Sequence, residues 1–171
     1  MLQRPGADEY APYYNTYTSL VPEGDVRDHL RTQLHETLVL LSGVSDERAS
    51  RAYGPGKWTL KESVLHMSDA ERVFSYRLLR IARGDTTPLP GFEQDDWVPH
   101  SRANSRSLAS LLLEFAAIRA STLQLMDSLD AAAWARRGTA SDKPVSARAL
   151  AYICAGHERH HQRILRERYL V

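Results

Sequence analysis

The segment Ala155–Leu165, AGHERHHQRIL, places His157, His160 and His161 within five positions. His157 and His161 are four apart, so on a helix they stack on one face. That face also carries Leu150, Ile153 and Ile164 at helical spacing, so both imidazoles point where a core is expected. Imidazoles facing a core are costly unless their nitrogens find partners. A divalent metal supplies one, because each neutral ring can give a lone pair at about 2.0–2.1 Å and one helical turn brings both rings to a common point. A third ligand is needed. His66, in SVLHMSDAERV, lies at the edge of another apolar stripe, and bundle cores build metal sites from facing helices. His66, His157 and His161 are therefore the candidate ligands. Three histidines leave coordination positions open to water or substrate, the pattern of a catalytic metal. Zinc or nickel comes first, with ferrous iron next.

His157, Glu158 and His161 also spell H-E-x-x-H, which in zinc proteases means two ligands and a general base. Three features oppose a protease. The short stretch from His161 to Val171 has no room for a downstream third ligand. No strand is expected that could align a peptide. The remaining candidate, His66, lies far upstream on another helix. Glu158 is instead expected as an acceptor near the ligands or a base for bound water. His160 falls about 100° off the triad face and is expected beside the ligands or at the surface. Cys154 is expected as a small buried residue. For Arg77, a salt bridge with a helix carboxylate outweighs contact with an anionic substrate. Trp58 and Trp97 are expected as core anchors.

Four helical patterns must position these residues. Val26, Leu30, Leu34, Leu38 and Leu41 form the first stripe, from about Asp25 to Leu41, with Gly43 as a stop. Thr59 and Glu62 offer a capping box for the second, whose stripe runs through Leu60, Val64, Met67, Phe74, Leu78 and Ile81 to Gly84. The third starts near Ser107 and runs through Leu108, Leu111, Leu112, Phe115, Ile118, Thr122, Leu125 and Leu129. The fourth follows Pro144, with Ser146 as its cap. No stretch alternates like a strand, so no sheet is expected. The result is an all-α four-helix bundle in a single domain, 1–171. The connection 84–106, GDTTPLPGFEQDDWVPHSR and onward, is long enough to cross the bundle and let helices two and three run parallel. Phe92 and Trp97 are expected to pin it. The tyrosine-rich YAPYYNTY near the start reads as an aromatic arm packed on the bundle.

The second-helix stretch GKWTLKESVLHMSDAERVFSYRLLRIARGD and the late AGHERHHQRIL resemble the DinB/YfiT-like superfamily. That resemblance covers the chain from about Tyr13 to Tyr169. It implies a four-helix bundle of up-down-down-up topology with a long crossover, and a metal held by one histidine of helix two and an H-x-x-x-H pair on the last helix. His66, His157 and His161 match those positions. Some members are divalent-metal-dependent transferases or isomerases using low-molecular-weight thiols, and many are named metal-dependent hydrolases without a known reaction. The resemblance thus implies hydrolysis or thiol transfer on a small electrophilic substrate, with a non-catalytic metal or small-molecule binder as the alternative. Members are often homodimers, which the residues themselves leave open.

Composition bounds the rest. With 171 residues, 43% of them apolar, the chain can bury a core. Its 22 basic and 21 acidic residues give a net charge of +1, so no nucleic-acid partner is expected. The apolar runs are short and the first residues lack an apolar leader, so no membrane span or secretory signal is expected. A single cysteine excludes an internal disulfide, and the expected location is cytoplasmic.

Overall fold

The computed structural model describes residues 3–171. Four long helices make its body: α1 (Val26–Leu41), α2 (Leu60–Ala82), α3 (Leu108–Asp127) and α4 (Ala147–Ile164). Each starts where a side chain satisfies free backbone N–H groups. Asp25 accepts from Arg27 N, Ser107 from Ser110 N and Ser146 from Ala149 N. Thr59 accepts from Glu62 N while Glu62 accepts from Thr59 N, closing the capping box. Such caps contribute about 1 kcal/mol each. Beyond α2, Gly84 takes a φ of +83°, which suits a residue without Cβ. A π-helical turn, Leu165–Tyr169, extends α4 and brings the Tyr169 hydroxyl to Trp58 O at 2.6 Å.

Two apolar clusters fill the interior. One gathers Val26, Leu30, Phe74, Leu78, Met126, Leu150 and Ile153; the other gathers Leu41, Leu60, Val64, Leu108, Leu111, Phe115 and Leu165. On every long helix a buried polar stretch separates the two: Gln33 and Thr37 on α1, His66 and Glu71 on α2, Arg119 on α3, and His157, Glu158, His161 and Gln162 on α4. On α1 this shifts the buried face. Leu34 and Leu38 are only partly buried, while Gln33 and Thr37 take the core positions. Side chains also tie neighbouring helices to one another. Asn104 bonds Thr59 and Glu62, Arg72 pairs with Glu114 at 2.6 Å, and Arg31 pairs with Asp127 at 2.7 Å.

The expectation of no sheet is corrected. β1 (Arg137–Ala140) pairs antiparallel with β2 (Lys143–Ser146), in register from Arg137↔Ser146 to Ala140↔Lys143. The turn residues Ser141 and Asp142 have φ of +52° and +58°, the conformation of a tight hairpin turn. Strands of four residues, holding Gly138 and Pro144, carry too little alternation to read from sequence. The connection 84–106 is anchored on this hairpin rather than by its aromatics. Leu89 N donates to Thr139 O and accepts at its own carbonyl from Ser141 N, at 2.9 and 3.0 Å. Leu89, Val98 and Ala103 are buried. Phe92 and Trp97 stack on each other at 4.8 Å, with Trp97 left 44% exposed.

One helix has the length and composition of a membrane span. By length and composition α3, with a mean hydropathy of 1.3, could cross a membrane. Here it packs as a bundle helix and carries Arg119, fully buried against carboxylates of α2 and α4.

Candidate metal centre

His66 sits nearly two turns into α2, on its buried face, and His157 and His161 sit one turn apart on α4. All three are nearly inaccessible, at 4%, 5% and 8% exposure. Each offers one nitrogen, and the three nitrogens lie within 4.8 Å of one another. His66 Nε2 and His157 Nε2 are 3.1 Å apart. Two nitrogens about 2.0–2.1 Å from a shared ion would stand about 3–3.4 Å apart, the separation that His66 and His157 already have.

Aromatic neighbours fix the rings. Trp58 packs on His66 at 4.9 Å, and Tyr17 and Phe74 meet His157 edge-on at 5.3 and 5.6 Å. Trp58 is therefore a wall of the site rather than a core anchor. Tyr17 comes from the N-terminal arm, where Asn15–Thr18 forms a helical turn against α4. The approach is tight, because a Cβ at Gly156 would lie 2.1 Å from Tyr17 O. Gly156→Ala must push the arm off α4. A loss of about 1–3 kcal/mol is expected in thermal unfolding, with Tyr17 leaving its place beside His157.

The electrostatics favour neutral imidazoles, the form that ligates. Burial first, and then the charge of His160, bring His66 down to about 4. Burial and the neighbouring histidines hold His157 and His161 well below the usual histidine range. The sign of the pH effect follows. The unfolded chain takes up protons near 6.5, before the folded one does. Stability of metal-free protein is therefore full above that value and is lost as pH falls toward 4. The slope is about 1.4 kcal/mol per pH unit for His66. Urea unfolding of metal-free protein at about pH 7 and pH 5 checks this, and His66→Leu should flatten the slope.

Glu158 turns away from the cluster. Its Oε1 accepts from Thr37 Oγ1 at 2.7 Å and its Oε2 from Arg119 at 2.8 Å. Burial pushes its carboxyl up while Arg119 and Thr37 pull it down. Arg119 also holds Glu71 through two nitrogens, at 2.9 and 2.7 Å, and donates to Leu30 O. Burial alone would lower the guanidinium pKa, but Glu158 and Glu71 carry it well above the usual value. Gln162 adds bonds to Thr37 and Gln33 O. Glu71 and Arg119 escaped the sequence reading, although both stand in phase with apolar stripes. Glu71 falls between Met67 and Phe74, and Arg119 lies four after Phe115. A charge in phase with a core stripe was the available signal.

Other candidates fall as follows. Cys154 is buried, and its thiol is pushed well up by burial and by Glu71. His160 is half-buried, with its ring 5.5 Å from Tyr17 and 5.3 Å from His161. Arg77 donates to Pro90 O and Ser141 Oγ rather than to a helix carboxylate. Two cavities open beside the cluster. One, of about 320 Å³, is lined by Lys57, Trp58, His160 and His161; the other, of about 280 Å³, reaches His157. Tyr17, Gln94 and Asp95 line both.

Fold and site together define a four-helix bundle whose buried histidines could hold a metal ion beside two cavities that share part of their lining. The chain belongs to the DinB superfamily, whose family model matches residues 29–165. Among solved structures it resembles YfiT from Bacillus subtilis, described as a probable metal-dependent hydrolase with an unusual four-helix bundle topology. The TM-score is 0.74 at 13% identity, covering 89% of this chain and 97% of that one, and at that identity the likeness speaks for the fold. A protein of Oceanobacillus iheyensis named "Putative metal-dependent hydrolase" is 31% identical over 58 residues, which are 33% of either chain. The match thus spans about a third of that relative's length.

Proposed function

We propose that this protein is a divalent-metal-dependent enzyme with His66, His157 and His161 as its ligands and a small electrophilic molecule as substrate. The observation that carries this is the convergence of three buried imidazoles within 4.8 Å, of which His161 lines one adjoining cavity and His157 the other. The names of the Oceanobacillus and Bacillus proteins support the hydrolytic form, and transfer of a low-molecular-weight thiol is the second form. Zinc, nickel and ferrous iron all suit imidazole. A bound ion would lower the pKa of a water or thiol in the open position. The chain's own residues hold the imidazoles neutral, fix their planes with Trp58, Tyr17 and Phe74, and line the cavity at His157 with Phe92, Glu93, Gln94 and Asp95.

The helix directions are part of the same reading: up-down-down-up, with 84–106 as the crossover. The links of Asn104 to Thr59 and Glu62, and of Arg72 to Glu114, support parallel α2 and α3. Those of Gln33 to Ala155 O and Thr37 to Glu158 support parallel α1 and α4.

The test is turnover of ester, amide and epoxide panels, with and without added thiols, by metal-loaded and chelator-stripped protein. Turnover that disappears on stripping and returns on reloading is expected, and equal turnover by stripped protein would contradict the proposal. No cleavage of casein is expected, because Glu158 is occupied by Arg119 and Thr37. Casein cleavage abolished by Glu158→Gln at full metal content would restore the protease reading.

A further inference from the structure

The lobe that reaches His157 has an unusual lining. Tyr13, Tyr14, Tyr17 and Phe92 form its aromatic walls, and Glu93 and Asp95 stand at its edge. The rings make a connected set: Tyr13 meets Tyr14 edge-on at 5.5 Å and Tyr17 at 5.9 Å. Tyr14 and Tyr17 also pack against the apolar core, but core packing does not account for Tyr13, which is 66% exposed. Nor are the carboxylates spoken for. Among the described residues, neither Glu93 nor Asp95 takes part in an ion pair. The lining of this lobe contains no lysine or arginine; Lys57 lines the other lobe. Arg77 lies behind Phe92, 5.8 Å from its ring, with its guanidinium committed to Pro90 O and Ser141 Oγ.

Ring faces attract cations through their quadrupoles, most strongly where water is excluded. Unpaired carboxylates at the rim add a long-range attraction of the same sign. We propose that the tyrosine lobe binds the ammonium group of a small organic cation, so that the substrate of the histidine site carries such a group. This rests on the reading of the histidine cluster as a small-molecule site. The lobe orients the ammonium end, and the rest of the molecule extends past Tyr17 toward the cluster and the Lys57 lobe.

The experiment is calorimetric titration of zinc-loaded protein with choline and with 3,3-dimethylbutan-1-ol, its neutral isostere, with zinc content measured before and after. Choline is expected to bind at least about tenfold more tightly than the isostere. Tyr13→Leu and Asp95→Asn should each weaken choline several-fold and leave the isostere unchanged. Both residues are exposed, so the variants keep the fold. Equal binding of choline and isostere, no choline binding up to about 10 mM, or variants that bind choline like the parent would each overturn the proposal. The two readings fail separately. Loss of zinc with choline discrimination intact removes the metal assignment, and retained zinc without discrimination removes the ammonium lobe.

Discussion

Arg119→Met is expected to cost about 3–5 kcal/mol of folding stability, the usual loss when one partner of a buried charge cluster is removed. Arg119 is completely buried and bonds Glu71, Glu158 and Leu30 O. Removing it strands the carboxyls of Glu71 and Glu158, 2% exposed each, without their guanidinium. Native domains have only about 5–15 kcal/mol in total, so the urea midpoint should fall by a large fraction or the chain should fail to fold. Adding Glu71→Met removes one stranded carboxyl and should recover part of the loss. A double-mutant cycle reads that coupling directly. A loss under about 1 kcal/mol for Arg119→Met would mean the network is not holding the four helices together.

Metal removal is expected to have an effect of the same order. The cluster places three imidazoles in the core with a single His–His hydrogen bond between them, an arrangement that favours a bound cation. An ion that binds only the folded state adds about 4 kcal/mol when free metal stands 1,000-fold above the dissociation constant. Zinc titrated into stripped protein should raise the denaturation midpoint in a concentration-dependent way. His157→Ala should abolish the rise. A midpoint that ignores zinc would count against the cluster as a metal site.

Much of this was legible from spacing alone. Thr59, Ser107 and Ser146 announced three helix starts, and the structure caps those helices there. The pair His157 and His161, in phase with Leu150 and Ile153, announced the cluster. What stayed hidden has physical reasons. Gln33, Thr37, Glu71 and Arg119 occupy core positions as polar side chains, which a search for apolar stripes passes over. The hairpin turns through Ser141 and Asp142, not the Asn-Gly that usually marks such a turn. The proximity of Tyr17 to His157 depends on Gly156 letting the arm's backbone touch α4, and no local pattern reports a contact between such distant segments. Phe92 and Trp97 drew attention as aromatics, yet the 84–106 connection is held by Leu89 and its backbone pairing.

The central claim is that His66, His157 and His161 hold one divalent ion. Its most direct test is elemental analysis of untagged protein alongside the His161→Ala variant, with helicity of both followed by circular dichroism. The account predicts about one ion per chain in the parent, loss of most of it in the variant, and unchanged helicity. Full metal content in a folded His161→Ala protein would contradict it.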